Sequence, residues 1–252
     1  MQECVRIRDI VEKYQADNGE VEALAGVSFS VAQGELVSIV GPSGCGKSTL
    51  LSIIAGLEPP TSGTITVNGT QVDGVSPHIG YMLQDDNLLE WRSIYKNIVL
   101  GLEIQKKITS DNLAYANRLI ESYGLGEFRE KYPSQLSGGM RQRAALIRTL
   151  AIKPELLLLD EAFSALDYQT RLQVTDDVRR ILKREGKTTL MVTHDIPESI
   201  SMSDRIIVLT PRPGLVKAIH TVDFGADLQP LERRSHPKFS EYFNKIWGEL
   251  VE

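Results

Sequence analysis

The first third of the chain contains short stretches in which apolar and polar residues alternate. Valine and isoleucine alternate with two arginines over residues 5–8, and valine and phenylalanine alternate with two serines over residues 27–31. This period of two predicts half-buried strands, which we expect to pair antiparallel. The segment 61–72, TSGTITVNGTQV, holds a short strand between turn residues and is expected to join the same sheet.

Later strands are predicted from runs of mostly apolar residues, in which polar and apolar positions do not alternate regularly. Such runs occur at residues 35–41 (ELVSIVG), 156–159 (four leucines), 188–195 (TTLMVTHD) and 205–210 (RIIVLT). Helices are expected between them, one ending near Gly56 and a long one ending near Gly186. A strand covered on both faces needs apolar residues at successive positions. Apolar strands that alternate with helices therefore predict an α/β core with a mostly parallel sheet.

Residues 88–151 change to a helical pattern and are predicted to form an inserted helical subdomain. Apolar residues recur there at spacings of three and four, as in IYKNIVLGLEI and SDNLAYANRLIESYGLG. In the second of these helices, Ser110 or Asp111 is the expected N-cap, and Gly124 or Gly126 marks the expected end.

The segment from about 236 to 251 is predicted to be an amphipathic C-terminal helix that packs back on its own domain. Its apolar residues recur at helical spacing: Phe239, Tyr242, Phe243, Ile246 and Leu250. With 252 residues and no internal repeat, the chain is expected to be one domain, 1–252, with an insertion.

Composition narrows the class of protein. The formal net charge of −5 argues against nucleic-acid binding through a broad basic face. No apolar run approaches the roughly 18 residues of a membrane-spanning helix. The opening MQECVRIRDI lacks the apolar core of a signal peptide, so export is not expected. Two cysteines, Cys4 and Cys45, make no disulfide framework and suit a reducing cytoplasm.

Residues 41–49, GPSGCGKST, match the pattern G-x-x-x-x-G-K-[ST] between a predicted strand and a predicted helix. Glycines let the backbone curl so that its N–H groups point into one concavity and bind phosphate oxygens. The start of the following helix adds its positive dipole end. Lys47 can place its ammonium against the β- and γ-phosphates, and Ser48 can offer its hydroxyl to Mg²⁺. The segment predicts a nucleoside triphosphate site.

Residues 156–162, LLLLDEA, place two carboxylates after a predicted buried strand. Parallel sheets bind ligands at the carboxyl ends of their strands, which is where Asp160 falls. Asp160 can hold Mg²⁺, directly or through water, and Glu161 is placed to polarise an attacking water as a general base. Alone, the two acids could be N-capping residues of the next helix. Beside residues 41–49, the metal and base roles are favoured.

The octapeptide LSGGMRQR, residues 136–143, is the most informative motif. Ser137 and Gly139 offer a hydroxyl and backbone N–H groups at a predicted helix start, which is an anion site without a phosphate of its own. A plain N-cap would explain Ser137 but not the double glycine.

These motifs, in this order, resemble the nucleotide-binding subunit of an ABC transporter, over nearly the whole chain. The resemblance implies a P-loop NTPase core, an N-terminal antiparallel β-subdomain and the helical insert. It also implies that two copies bind two ATP molecules head to tail, each between Lys47 of one copy and Ser137 of the other. The implied nucleotide contacts are Tyr14, Gly41, Pro42, Ser43, Gly44, Cys45, Gly46, Lys47, Ser48, Thr49, Ser137, Gly138, Gly139 and Asp167.

The resemblance assigns further roles residue by residue. Tyr14 resembles the aromatic residue that stacks on adenine, and His194 resembles the histidine that contacts the γ-phosphate. Gln84 resembles the glutamine that contacts Mg²⁺ and the attacking water. Asp167, in the segment SALD, is expected to touch the glycine loop of the second copy. The implied catalytic residues are Glu161, His194 and Gln84, and the implied metal ligands are Ser48, Gln84 and Asp160.

A narrower resemblance, to the nitrate/sulfonate/taurine branch of ABC importers, rests on NLLEWRSIYKNIVLGLE after Gln84 and on LTPRPG at residues 209–214. That branch usually has proline before Trp91, where this chain has Glu90, so the solute stays open. Trp91 is expected either in the core of the helical subdomain or exposed beside a surface that couples to a membrane partner.

The resulting hypothesis is an ATPase, with ATP and Mg²⁺, that powers solute import through separate integral-membrane permease subunits. A solute-binding protein is an indirect partner, nucleic acid is not a partner, and the expected place is the cytoplasmic face of the cell membrane. Two alternatives stay open: the ATPase of an exporter or lipid-extraction system, and a soluble assembly ATPase such as one for iron–sulfur clusters. A chromosome-type ATPase would need a long coiled-coil insertion, and a ribosome-acting relative usually carries the motif set twice. The sequence has neither.

Overall fold

Two sheets and a set of helices make up residues 2–16 and 19–251, the part of the chain that the computed structural model describes. The strands are β1 (Glu3–Ala16), β2 (Gly19–Ala32), β3 (Leu36–Val40), β4 (Ser62–Val67), β5 (Thr70–Gln71), β6 (Ile79–Met82), β7 (Leu156–Asp160), β8 (Thr188–Val192), β9 (Arg205–Leu209) and β10 (Val216–Thr221). The α-helices are α1 (Lys47–Ile54), α2 (Ile94–Ile98), α3 (Leu100–Ile104), α4 (Ser110–Ser122), α5 (Gly138–Ala151), α6 (Tyr168–Arg184), α7 (Ile196–Met202), α8 (Pro230–Arg234) and α9 (Lys238–Val251).

The larger sheet has the order β10-β9-β3-β8-β7-β6. All its neighbours are parallel except β10, which pairs antiparallel with β9 at the edge. The position of strand β7 explains why its sequence is a continuous apolar run. Leu157 and Leu159 pack into the core shared with the helical segment, whereas Leu156 and Leu158 pack on the opposite face. Because both faces are buried, every position is apolar.

The smaller sheet is antiparallel, with the order β2-β1-β4-β5. Val5 pairs with Val31 on one side and with Val67 on the other, so the strands predicted from alternation do form one sheet with the segment after Thr61. Strands β1 and β2 extend beyond the alternating stretches. In that extension Glu12 is buried and its carboxylate accepts a hydrogen bond from the Thr61 N–H (2.9 Å), which breaks the apolar pattern.

The helical segment 88–151 holds α2 to α5 and two short 3₁₀-helices, Gly126–Phe128 and Pro133–Gln135. The N-cap of α4 is Thr109, and the prediction of Ser110 or Asp111 is wrong. Thr109 has the extended backbone of an N-cap, and its hydroxyl accepts a hydrogen bond from the Asn112 N–H (3.3 Å). The helix ends as predicted before Gly124, whose φ is 74°.

Trp91 lies at the surface of this segment, with 74% of its area exposed, so the alternative that placed it in the core is wrong. At the end of the chain, α9 packs back on its own domain as predicted. Its Ile246 is fully buried, which stabilises the fold by about 1.5–3 kcal/mol. Phe239 and Tyr242 pack partly against the same core. Within the described residues, no helix combines the length and the apolar character needed to cross a bilayer.

Candidate functional site

The order of the parallel strands brings the predicted site residues to one edge of the sheet. Strands β3, β8, β7 and β6 are neighbours, and the chain leaves each of them at the same carboxyl end. The glycine loop follows β3, Glu161 follows β7, His194 follows β8 and Gln84 follows β6. These residues are far apart in sequence, and the sheet gathers them around one crevice.

The glycine loop ends at Gly46, the N-cap of α1, whose φ of 98° is left-handed. A Cβ at this position would lie 2.7 Å from Leu24 Cδ2 and 3.0 Å from the carbonyl oxygen of Ala23, so only glycine fits. The close approach to β2 sets the direction of α1. The N–H groups of the first turn of α1 have no partner within the helix and carry its positive dipole end, so the loop suits a phosphate group.

Lys47, the first residue of α1, is only 7% exposed. Its ammonium donates hydrogen bonds to the carbonyl oxygens of Gly41 (2.8 Å) and Pro42 (2.9 Å), which hold it beside the loop. Cys45 is fully buried, and burial raises the pKa of its thiol. The thiol fills space inside the loop, against Gly41.

A cavity of about 630 Å³ opens beside the glycine loop. Nine of the predicted site residues line it: Tyr14, Ser43, Gly44, Gly46, Lys47, Ser48, Thr49, Glu161 and His194. The Tyr14 hydroxyl lies 3.4 Å from Thr49 Oγ1 and 3.3 Å from the Glu58 carboxylate. The size is that of sites for small ligands, and the lining joins an aromatic ring, a phosphate-binding loop and two polar catalytic candidates.

Arg212 also lines the cavity and was not predicted. The segment LTPRPG, residues 209–214, supported only the resemblance to the importer branch. In the fold, this turn hydrogen-bonds to β2: the Gly214 N–H donates to the Ala23 carbonyl (2.9 Å), and the Ala25 N–H donates to the Gly214 carbonyl (3.1 Å). The turn thereby carries a guanidinium to the cavity rim. Nothing in the local sequence distinguishes this arginine from a solvated one.

Asp160, the last residue of β7, faces the first turn of α1. Its carboxylate accepts hydrogen bonds from Ser48 Oγ (3.2 Å) and from the Tyr81 hydroxyl (3.1 Å). Burial raises the pKa of Asp160, and these two hydrogen bonds oppose the rise. Tyr81 was not predicted, and burial raises the pKa of its phenol well above the usual value.

Ser48 and Asp160 offer the hard oxygen donors that Mg²⁺ prefers, so their chemistry fits the implied metal. Within residues 2–16 and 19–251, however, no group of three or more His, Cys, Asp or Glu side chains is arranged to hold a metal ion. A cation bound here would therefore take most of its ligands from phosphate oxygens and water, as Mg²⁺ usually does.

Glu161 and His194 lie beside each other in the cavity lining. Glu161 Oε2 lies 3.0 Å from His194 Nδ1. The backbone of Glu161 is left-handed, with φ of 45°, and its N–H donates to the Val192 carbonyl of β8 (2.9 Å). A non-glycine residue pays for this conformation with strain on the order of 1–3 kcal/mol, which is typical of functional positions.

Gln84 joins this group through a hydroxyl. Its Nε2 lies 3.3 Å from Ser164 Oγ, and that hydroxyl donates to the carbonyl oxygen of Glu161 (2.9 Å). The structure therefore brings Gln84 to the backbone that follows β7. Its predicted contact with a metal ion stays a prediction.

The remaining predicted residues lie apart from the cavity lining. Ser137 is the N-cap of α5 and accepts from the Met140 N–H (3.4 Å). Asp167 is the N-cap of α6, where hydrogen bonding to Thr170 lowers the pKa of its carboxyl. As far as the described residues show, neither side chain belongs to the cavity of the same chain. One chain thus presents the two halves predicted to bind ATP as separate surfaces.

The two glycines after Ser137 hold α5 against α6. A Cβ at Gly138 would lie 3.2 Å from Leu166, and a Cβ at Gly139 would lie 3.0 Å from both Thr170 and Val174. The double glycine therefore has a packing role that its sequence did not reveal.

Glu198, on α7, is expected to make the stability of the fold depend on pH. It is 4% exposed, and burial raises its pKa to about 7, while a hydrogen bond from Thr193 opposes the rise. An unfolded glutamate ionises near 4.5. The folded state therefore binds the proton more tightly, and its free energy of unfolding should fall as the pH rises from about 4.5 to about 7, by up to about 3 kcal/mol.

Glu198→Gln carries no charge and should lose this slope, so the variant should gain stability relative to the wild type between pH 5 and pH 8. Urea unfolding at both pH values measures the difference. Glu130→Gln, at a glutamate that is 77% exposed and pairs with an arginine, is the matched control and should follow the wild type. Equal pH slopes in the wild type and Glu198→Gln would contradict the expectation.

The fold and the site define a P-loop nucleotide-binding protein: a glycine loop between β3 and α1, and two acids at the end of β7. Comparison with known proteins agrees and is more specific, since the ABC transporter family matches residues 24–164. The chain belongs to the ABC transporter family. It binds ATP and is an ATPase of that family.

Relatives cover nearly the whole chain. The uncharacterized ABC transporter ATP-binding protein YtlC of Bacillus subtilis is 44% identical over 247 residues, which are 98% of this chain and 95% of YtlC. The taurine import ATP-binding protein TauB of a Jannaschia species is 40% identical over 96% of this chain and 92% of TauB. The nitrate import ATP-binding protein NrtD of a Synechocystis species is 37% identical over 96% of this chain and 93% of NrtD.

Solved structures confirm the predicted fold class. The dimeric structure of MJ0796, a bacterial ABC transporter cassette, superposes with a TM-score of 0.73 at 29% identity, covering 87% of this chain and 99% of that one. The same cassette in a post-hydrolysis state bound to ADP and Pi gives a TM-score of 0.72.

Proposed function

We propose that this chain is the ATP-hydrolysing subunit of a solute importer and works as a dimer on the cytoplasmic face of the membrane. The observation that carries the proposal is the separation of two half-sites in one chain. Among the described residues, Ser137 does not line the cavity beside Lys47. It caps helix α5 elsewhere on the surface. The resemblance to importer subunits such as TauB and NrtD supports the direction of transport.

Within one chain, the cavity residues would bind ATP from base to γ-phosphate. The ring of Tyr14 offers a stacking surface for the base, and the N–H groups of the glycine loop would donate hydrogen bonds to the phosphate oxygens. The Lys47 ammonium, held by two carbonyl oxygens, is in place to donate to the β- and γ-phosphates. Arg212 at the rim adds a second cation. These contacts position the nucleotide but do not cleave it.

Cleavage would depend on Glu161. As water oxygen bonds to the γ-phosphorus, its proton passes to the Glu161 carboxylate, and the bond from phosphorus to the ADP oxygen breaks. His194 Nδ1, 3.0 Å from Glu161 Oε2, would orient that carboxylate, and the second ring nitrogen would contact the γ-phosphate. Mg²⁺ held by Ser48 and Asp160, with Gln84 as a further oxygen donor, would neutralise the phosphate charge that develops.

The second copy would complete the site. Ser137 offers its hydroxyl at the start of α5, and the N–H groups after it carry the positive dipole end of a 14-residue helix. Facing a γ-phosphate bound by the other copy, this helix start would bind the negative charge of that phosphate. Asp167, at the start of α6, would meet the glycine loop of the other copy. Hydrolysis would remove the phosphate that links the two chains and so allow them to separate.

The transport partners are integral-membrane permease subunits, with a solute-binding protein as an indirect partner. Trp91 is the best candidate for contact with the permease, because a highly exposed tryptophan is typical of an interaction surface.

Co-purification tests the proposal. A tagged chain is expected to recover membrane proteins encoded beside its own gene, in detergent extracts of its host. Trp91→Glu should reduce that recovery by about tenfold while ATP binding stays unchanged, and Trp247→Glu, at the other exposed tryptophan, is the matched control. Recovery of soluble scaffold proteins instead would favour an assembly ATPase. ATP-driven export from vesicles reconstituted with the permease would overturn the direction of transport.

A further inference from the structure

Arg171, in the first turn of α6, bridges two loops that the proposed mechanism uses. Its Nη2 donates to the carbonyl oxygens of Leu166 (2.9 Å) and Ser164 (3.2 Å), in the loop after Glu161. Its Nη1 donates to Asp195 Oδ2 (3.3 Å), next to His194. The side chain is 22% exposed, so these charge-assisted hydrogen bonds are partly protected from water.

Asp195 is itself fixed at three points. Its N–H donates to Thr193 Oγ1 (3.0 Å), and its Oδ1 accepts from the Glu198 N–H (2.8 Å) as the N-cap of α7. The third point is its Oδ2, which accepts from Arg171. His194 lies between Thr193 and Asp195 in the chain, so the backbone of His194 is held on both sides.

On the basis of the proposed function, we propose that Arg171 is a positioning residue for ATP hydrolysis. It holds the loop 164–167 and the segment that carries His194 as one unit. When a second copy contacts that loop, any shift of the loop moves His194 with it. The distance between His194 and Glu161 is thereby kept. Contact between the two copies would in this way set the geometry of the chain's own catalytic pair.

Only arginine can make this bridge. The planar guanidinium donates from two terminal nitrogens to three oxygens that belong to two different loops. A lysine would supply the charge, but its single ammonium lacks the forked geometry. Lysine should therefore restore the attraction to Asp195 without restoring the fixed distance between the loops.

The experiment compares Arg171→Ala and Arg171→Lys with Arg180→Ala. Arg180 lies on the same helix, is 59% exposed and pairs with Asp176 and Asp177, so its loss controls for removal of a charge. Arg171→Ala should lower kcat by about tenfold or more, with the ATP affinity of the single chain and KM within about twofold of the wild type. Arg171→Lys should recover less than half of that loss, and Arg180→Ala should match the wild type.

A double-mutant cycle with Asp195→Asn tests the bridge itself. Asparagine keeps the oxygen that caps α7 and loses the charge that Arg171 binds. In the Arg171→Ala background, Asp195→Asn should change kcat by less than about twofold, because the bridge is already broken. Additive effects on kcat would overturn the proposal. So would a parallel loss of ATP binding and thermal stability in Arg171→Ala and Arg171→Lys, which would make the role purely structural.

Measurements on the wild type distinguish a failure of the Arg171 role from a failure of the proposed function. If the wild-type chain hydrolyses ATP and Arg171→Ala does so equally well, only the role of Arg171 fails. If the wild-type dimer itself shows no ATP hydrolysis, the proposed function fails, whatever the variants do.

Discussion

Glu161→Gln is expected to lower ATP turnover by about 100-fold to 10,000-fold while leaving ATP binding intact. The amide cannot take the proton of the attacking water. It has nearly the same shape as the carboxylate and can still hydrogen-bond to His194, which lies 3.0 Å away. The variant should also bind ATP as a stable dimer, because the nucleotide that links the two copies is no longer consumed.

Phosphate release measures turnover, and size-exclusion chromatography with light scattering measures the dimer. Glu155→Gln is the matched control, since Glu155 lies at the other end of β7 and pairs with the exposed His78. The control should keep wild-type turnover. Wild-type turnover in Glu161→Gln would show that another group accepts the proton and that the assignment of the base is wrong.

Ser137→Arg is expected to abolish ATP-driven dimerisation and to leave ATP binding to the single chain unchanged. Arginine removes the N-cap hydroxyl of α5, which costs about 1 kcal/mol of stability. It also places a bulky cation at the positive end of the helix, where the other copy would present its γ-phosphate. The cavity beside Lys47 in the same chain is untouched, because Ser137 is not among its lining residues in the described part of the chain.

The measurement is best made in the Glu161→Gln background, where hydrolysis does not dissolve the dimer. Ser122→Arg provides the control: Ser122 is the exposed last residue of α4, and a cation is tolerated at the carboxyl end of a helix. The shared-site hypothesis would be wrong if Ser137→Arg dimerised with ATP as the parent does.

Much of the site could be predicted because its residues are set by short, local patterns. The loop 41–49 needs glycine at fixed positions, and Asp160 and Glu161 must follow a buried strand, so the pattern of residue types alone identifies them. The strands of the larger sheet were predictable for a related reason. Burial on both faces demands an unbroken apolar run, which few other structures produce.

The residues that were missed reach the site only through the fold. Arg212 comes from a turn bonded to β2, Tyr81 from β6, and Arg171 from the helix that follows Glu161. Each has an ordinary sequence context, and its role depends on which strands become neighbours. The N-cap of α4 was missed by a smaller margin, since Thr109, Ser110 and Asp111 are all capping residues, and only the backbone shows that the helix begins after Thr109.

The contacts of Gly138 and Gly139 lower the free energy that dimer formation would cost. With no Cβ, these residues let the start of α5 sit directly on Leu166, Thr170 and Val174. The two surfaces predicted to face the other copy are thereby packed into one rigid block before any partner arrives. Association would then cost mainly translational and rotational freedom, with little conformational entropy lost in ordering loops. Larger residues at these positions would loosen the block and weaken the dimer, although their backbone N–H groups would still be present.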